Sequence, residues 1–317
     1  MGFLFFPFPD QMALQYSKQP LSHTEQLELL EKRGLFIEDK SKAQHLLNNI
    51  SYYRLSGYWH PLLQSPKHLH QFKENASFNT AFKLYCFDRE LRQLVLGEIE
   101  KIEVAVKSQM INTLATAFGP FWHTDRALFR NYKNRHDKFL QKITDEAINS
   151  QEEFIQAFSN KYSDPYPPCW MTLEVASFGQ ISTLYSDLKP GRSKRAIAHH
   201  FGLKDSIFMS WLHTLVYLRN LCAHHSRFWN RTFGVSPKTQ ATYSKPLISP
   251  NSPALHATST ANNNTFVMLS ILLYLLQTVN PKNTFKTKFL ALTRKYPNVD
   301  LGAMGFSSTW AGEPLWR

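Results

Sequence analysis

A long helical pattern, residues 78–114, constrains the fold of this chain more than any other feature of its sequence. Apolar side chains recur there every three or four residues and form one continuous stripe, with charged residues between them. A helix of that length needs other helices to cover its stripe. The chain has only 12 glycines in 317 residues, and the same spacing recurs in most other segments. The sequence therefore predicts an all-α fold built on a helical bundle.

The chain is strongly basic and rich in aromatic residues. Lys and Arg number 36 against 24 Asp and Glu, which gives a net charge of +12, and there are 24 Phe, 13 Tyr and 7 Trp. This composition excludes a disordered chain. A surface with so much positive charge attracts polyanions before any specific contact forms. We therefore expect a nucleic acid as the partner.

Two apolar segments do not fit an export signal or a membrane span. Residues 1–9 have no basic region before them and contain two prolines. Residues 266–279 are shorter than the roughly 20 residues that cross a bilayer. The sequence also lacks Walker and zinc-protease motifs, and its adjacent histidine pairs have no acidic or cysteine partner at ligand spacing. We expect a cytoplasmic protein that needs no membrane, no metal and no other cofactor.

Five parts follow one another along the chain, with an insertion in the third near 120–164. They are a poorly ordered extension, 1–20; a helical and aromatic segment, 21–77; a bundle, 78–232; a loop rich in Pro, Ser, Thr and Asn, 233–263; and C-terminal helices that pack on the bundle, 264–317.

Local signals predict several helix ends. Ser22, with Glu25 three residues later, is typical of a capping box before a first helix. Residues 51–63, SYYRLSGYWHPLL, are punctuated by Gly and Pro, and a loop or short hairpin is expected over this segment and on to Phe78. One short helix is expected in the insertion near 145–158. One uninterrupted helix is expected over about 168–188.

The most informative stretch is WLHTLVYLRNLCAHHSRFWNR, residues 211–231, within a helix expected over about 206–228. Asn220 and His224, four residues apart, are expected on the face turned away from the core, and Arg227 continues their row. Arg219 lies between the two faces, and His225 lies near the edge of the apolar stripe. That stripe consists of Trp211, Leu215, Leu218 and Cys222. Arginine, amide and imidazole side chains displayed together off the core predict an active or binding site.

RNLCAHH, within this stretch, matches the R-x4-H signature of the HEPN (higher eukaryotes and prokaryotes nucleotide-binding) superfamily, whose four-helix bundles often act as metal-independent ribonucleases. Further blocks precede it in a fixed order: SYYRLSGYW, LYCFDRELRQLVLGEIEKIEV, PCWMTLEVASFGQISTLY and IAHHFG. The ordered set resembles the Abi-like family of bacterial abortive-infection proteins, of the AbiD/AbiF type. The resemblance covers about residues 20–232.

This resemblance implies a HEPN-like four-helix bundle, with additional N-terminal and C-terminal helices, in an RNA-cutting toxin of an anti-phage system. Arg219 and His224 match the catalytic positions, with Asn220 between them. The implied reaction is attack of a 2′-hydroxyl on its own phosphate, which leaves a 2′,3′-cyclic phosphate and needs no metal. An alternative is a catalytically silent HEPN protein that holds a structured non-coding RNA.

The resemblance also implies partners. A single R-x4-H motif in each chain suggests a homodimer that brings two motifs to one cleft. RNA is expected as the substrate. A toxin needs restraint between infections, and an antitoxin protein or a regulatory non-coding RNA would provide it.

Other polar residues have two interpretations each. Glu103 and Glu174 could orient Arg219 or His224, or could form ordinary salt bridges. His225 is an alternative catalytic histidine. RNA contacts are expected from some of the following residues: Arg89, Arg92, Lys194, Arg195, Arg227, Arg231, Tyr53 and Arg54. The competing interpretations are ion pairs with neighbours such as Asp88, a solvated basic face, and aromatic packing in place of base stacking.

Overall fold

A computed structural model describes residues 15–130, 134–240, 243–244, 247 and 263–317. Within them the chain forms twelve α-helices and short 3-10 turns, and it has isolated β-bridges but no strand. The all-α prediction is confirmed. No helix among these residues is long and apolar enough to cross a membrane. The predicted extension and the predicted loop over 233–263 lie partly outside the described residues.

The chain divides into two compact units, with the boundary between Lys83 and Leu84. The first unit contains α1 (His23–Lys32), α2 (Lys40–Ile50), α3 (Tyr52–Trp59) and the beginning of α4 (Phe78–Phe118). The predicted capping box starts α1. The Ser22 hydroxyl accepts a hydrogen bond from the amide of Glu25, and the Glu25 carboxylate accepts one from the amide of Ser22.

The aromatic segment after α2 begins with a helix, so the prediction of a loop or hairpin is wrong for Tyr52–Trp59. Further along, Leu63 and Phe72 form an antiparallel bridge, as a short hairpin would. Ser51 has a positive φ of 73°, and its hydroxyl accepts the amide of Arg54, which caps α3. Apolar burial then outweighs the cost of about 1 kcal/mol that Gly57 imposes inside a helix. The residues of α3 that recur at helical spacing and are buried are Leu55, Tyr58 and Trp59.

The second unit contains the rest of α4 and eight further helices in its described part. They are α5 (Arg135–Ile148), α6 (Glu153–Lys161), α7 (Cys169–Val175), α8 (Phe178–Asp187), α9 (Arg192–His200), α10 (Asp205–Ala223), α11 (Thr265–Val279) and α12 (Phe285–Lys295). Most of the predicted apolar stripe of α4 is buried, namely Leu91, Val95, Ile99, Ile102 and Val106, whereas Phe82, Tyr85 and Leu94 are half-buried. α10 packs on α8, α9 and α11, and α11 is buried along most of its length. The core of this unit therefore surrounds α10 and α11.

Three helix predictions in this unit are wrong. The insertion contains two helices, α5 and α6, where one was expected. The helix expected over 168–188 is interrupted between α7 and α8. Ser177 and Gln180 form a capping box there, which starts a new helix and ends the preceding one. α10 ends at Ala223 rather than near residue 228.

Two buried histidines stabilise the junction between the insertion and the helices around it. His136 Nε2 lies 2.7 Å from the carbonyl oxygen of His123, and His123 Nε2 lies 3.3 Å from Thr172 Oγ1. The His136 ring stacks on Phe129 with 4.1 Å between the ring centroids. Burial, together with the proximity of His136, lowers the pKa of His123 from its ordinary 6.5 to about 4.

The free energy of unfolding should fall as the pH is lowered from 6.5 towards 4. In this window the unfolded chain takes up a proton at His123 that the buried imidazole does not, so protons favour the unfolded state. The whole shift corresponds to about 3 kcal/mol. Urea titrations of the wild type and of His123→Gln across this range measure the effect. The same pH dependence in both proteins would contradict the assignment to His123.

Candidate functional site

The helix that contains the predicted site ends in a Schellman motif. The amide of His225 donates to the Cys222 carbonyl, and the amide of Ser226 donates to the Leu221 carbonyl, each at 3.0 Å. His225 has a φ of 55° at the position where glycine is usual. Arg227 therefore lies beyond the helix, and the prediction that it continues the row of Asn220 is wrong.

The faces of α10 are arranged as its periodicity predicts. The four residues of the apolar stripe are buried, whereas Asn220 and His224 are exposed and Arg219 is half-buried. Arg219 Nη1 donates to Asn220 Oδ1 at 3.4 Å, and the amide of His224 donates to the carbonyl of Asn220 at 2.9 Å. A guanidinium, an amide and an imidazole thus belong to the last turn of one buried helix, on its solvent side.

A buried carboxylate fixes the chain that follows. Asp88 on α4 is fully buried, and its Oδ1 accepts the amides of Trp229 at 2.6 Å and of Phe228 at 3.1 Å. Arg92, one turn further along α4 and also buried, forms an ion pair with Asp88 Oδ2. We call these two residues the Asp88–Arg92 clamp. The side chains of Phe228 and Trp229 are buried as well, so the backbone and the side chains of this segment are both fixed.

His224 lies in a short segment between two fixed points. The Schellman motif closes one end of the segment, and the clamp holds the other end at residues 228–229. The few residues between them have little freedom to move. The backbone that carries the imidazole is therefore preorganised, which a catalytic or binding group needs.

Cys222 is the cysteine nearest in sequence to this segment. It is buried, and burial raises the pKa of its thiol to about 12. A thiol with that pKa is protonated near neutral pH and is a poor nucleophile. Chemistry at this site therefore falls to the exposed polar groups.

Two of the predicted RNA-binding residues are structural, which corrects the sequence analysis. Arg92 belongs to the buried clamp, so the ion-pair interpretation is the correct one for it. Lys194 is also buried, and its Nζ donates to the carbonyls of Ser186 at 3.0 Å and Leu188 at 2.8 Å. Lys194 therefore satisfies carbonyls at the C-terminus of α8 and does not face a phosphate.

Both candidate orienting glutamates lie against Lys107, Glu103 through its carboxylate and Glu174 through its backbone carbonyl. Glu103 pairs with Lys107 at 3.4 Å, and Lys107 Nζ also donates to the backbone carbonyl of Glu174 at 3.2 Å. Among the described residues neither glutamate has a hydrogen bond or an ion pair with Arg219 or His224. The salt-bridge interpretation therefore holds for Glu103, and the Glu174 side chain is exposed.

The remaining candidates are accessible to different extents. Arg89 and Arg195 are exposed, and so are Tyr53 and Arg54 in the first unit. Arg227 and Arg231 are half-buried, and Arg231 donates to Tyr217 Oη and to the carbonyl of Arg227, each at 3.4 Å. Their contacts with RNA stay predictions. In the described part of the chain, no cluster of three His, Cys, Asp or Glu side chains could hold a metal ion.

The model of the Abi-like protein family matches residues 45–230, more than half of the chain. The chain belongs to the Abi-like protein family. The matched region contains both the clamp and the R-x4-H segment of this Abi-like protein. Membership of the family suggests a role in abortive infection. This Abi-like protein matches no curated protein and no solved structure.

Sequence reasoning gave Asp88 no role of its own in the site, although the sequence contains a signal for it. Asp88 lies four residues after Leu84 and three before Leu91, both in the buried stripe of α4. A carboxylate at a core position needs a partner, and Arg92 follows at the helical spacing for an ion pair. The spacing does not indicate that Asp88 also binds the distant backbone amides of Phe228 and Trp229.

Asp88→Ala should lower the free energy of unfolding by about 3–5 kcal/mol, because it removes the buried carboxylate that pairs with Arg92 and accepts two backbone amides. Chemical denaturation measures the loss. The matched control is Glu90→Ala, which removes a carboxylate two residues later that pairs with Lys295 near the surface. The control should lose far less. Equal losses in the two variants would contradict the role of the clamp.

Proposed function

We propose that this Abi-like protein is a metal-independent endoribonuclease of the HEPN type and acts as the toxin of an abortive-infection system. One observation carries the proposal. The R-x4-H motif lies at the end of a buried helix, and its Asn220 and His224 are exposed beside the half-buried Arg219. Solvated polar groups on a preorganised backbone are typical of a site that acts on an external ligand.

The proposed reaction uses only groups that this chain supplies. His224 takes the proton of an RNA 2′-hydroxyl, and the 2′-oxygen attacks the adjacent phosphorus. The guanidinium of Arg219 neutralises the additional negative charge on the phosphoryl oxygens. The bond from phosphorus to the 5′-oxygen breaks, and that oxygen accepts a proton. The products are a 2′,3′-cyclic phosphate and a 5′-hydroxyl.

The reaction needs one group to accept a proton and another to donate one. An imidazole can do either near neutral pH. We infer that a second copy of the chain contributes its own Arg219 and His224, so that a homodimer contains the complete site. An antitoxin or a regulatory non-coding RNA that covers this cleft would restrain the toxin.

Arg219→Ala and His224→Ala should abolish toxicity and RNA cleavage, since both side chains act on the phosphate. Neither should alter thermal melting greatly, because neither is buried in the core. Growth of the host, cleavage of single-stranded RNA and melting temperature measure these effects. The matched control is His213→Gln, which changes an exposed histidine on the same helix and should remain active.

Two results would change this proposal. If His225→Gly alone abolished cleavage, the catalytic histidine would be His225; glycine keeps the left-handed backbone that this position requires. If the wild type bound RNA as tightly as His224→Ala but cleaved none, the protein would be a silent RNA-binding module.

Cleavage should continue in excess EDTA, because the proposed acid and base are side chains. Mapping the ends of the products checks the chemistry, and 2′,3′-cyclic phosphates are expected. A strict need for divalent ions, or products with 5′-phosphates, would instead indicate a metal-dependent mechanism.

A further inference from the structure

The first unit contains a cavity of about 340 Å³ that the ribonuclease proposal does not use. Its floor is apolar and buried, and it is formed by Trp59, Leu63 and Phe72. Its rim carries aromatic and cationic side chains, which belong to Tyr16, Lys18, Arg33, Tyr52 and His70. An apolar floor with a few polar groups at the rim is the usual construction of a small-ligand site.

The charge of this rim has one sign. Arg33 is half-buried, and its Nη1 donates to the hydroxyl of Tyr52 at 3.2 Å. Among the described residues Arg33 has no ion pair with a carboxylate, and none of the residues that line the cavity is acidic. A guanidinium has five N–H donors, so Arg33 retains donors for an anionic ligand.

The aromatic part of the cavity is fixed in place. The rings of Tyr52 and Trp59 meet edge to face, with 5.0 Å between their centroids and an angle of 67° between their planes. The hydrogen bond from Arg33 holds the hydroxyl end of Tyr52. Tyr16, in contrast to these fixed rings, is 82% exposed. The cavity thus combines a held aromatic wall with an exposed aromatic side chain that can cover a planar ligand.

We propose that this cavity binds one nucleotide unit, with the base on the apolar floor and beside Tyr52, and the phosphate on Arg33 and Lys18. A planar base needs aromatic and apolar surface, and its phosphate needs cations. A bare phosphate would leave the floor empty, and an apolar ligand would leave Arg33 unpaired. The nucleotide can be a free nucleoside monophosphate or part of a single-stranded RNA; the second case rests on the proposed function.

Binding to the full chain tests this inference. His224→Ala serves as the background, so that the protein does not cut its ligand. The probes are AMP, inorganic phosphate and a fluorescein-labelled single-stranded oligoadenylate. Arg33→Gln keeps a donor for Tyr52 but removes the charge, and its matched control is Lys32→Gln, which removes an exposed charge from the preceding residue, the last of α1.

Arg33→Gln should weaken the binding of AMP, of RNA or of both by about tenfold or more, since it removes a charged hydrogen bond. Lys32→Gln should change binding by less than about twofold. Weaker binding of AMP alone indicates a free nucleotide, and weaker binding of RNA alone indicates a nucleotide within a strand. Equal binding by the two variants, or phosphate that binds as tightly as AMP, would overturn the inference.

A second measurement keeps the test decisive if Arg33→Gln does not fold, as its melting curve will show. RNA that contains 4-thiouridine, and 8-azido-AMP, can be cross-linked by light to the His224→Ala protein. Cross-links to residues 16–72 support the inference, and their absence there with both probes overturns it. If His224→Ala stops cleavage while Arg33→Gln leaves binding unchanged, only the nucleotide cavity is wrong. If the wild type cleaves no RNA but Arg33→Gln weakens AMP binding, only the ribonuclease is wrong.

Discussion

The buried carboxylate of Asp88 is the interaction on which the candidate site depends. A charge with no exposed surface is tolerated only when it is paired and hydrogen-bonded. Asp88 satisfies this requirement with Arg92 on its own helix and with two amides from the chain that follows α10. Those amides could not move away without leaving the carboxylate short of donors. The clamp therefore sets where α10 must end relative to α4.

Periodicity was sufficient to predict the helical class, the buried stripe of α4 and the faces of α10, because burial follows helical spacing directly. The end of α10 could not be predicted in the same way. Residues 224–228 continue a plausible helical pattern. The amides of Phe228 and Trp229, however, bind Asp88, which lies 140 residues before Phe228. Contacts between residues so far apart in the sequence cannot be predicted from local periodicity. The helix in residues 51–63 was missed for a related reason, since burial of its aromatic residues outweighs the local turn signals.

The same difference between local spacing and distant contacts decides which site residues could be predicted. Arg219, Asn220 and His224 could be predicted to lie off the core because their positions follow from spacing alone. Arg92 could also have been assigned to the ion pair, since it follows Asp88 by four residues on a stripe that is otherwise apolar. Lys194 could not, because the carbonyls that it satisfies belong to the end of another helix. A basic side chain next to the exposed Arg195 is, in sequence, indistinguishable from a phosphate contact.

The backbone also separates the two adjacent histidines. His224 keeps a nearly helical conformation, with φ −86° and ψ 11°, and so continues the face of α10 that carries Asn220. His225, at φ 55°, turns the chain away from that face. A side chain other than glycine at positive φ costs about 1–2 kcal/mol, so glycine would suit the fold better. Strain of this kind persists where the surrounding structure over-determines it, and here the clamp does so. The turn at His225 leaves His224 as the histidine that shares a face with the polar groups of the motif.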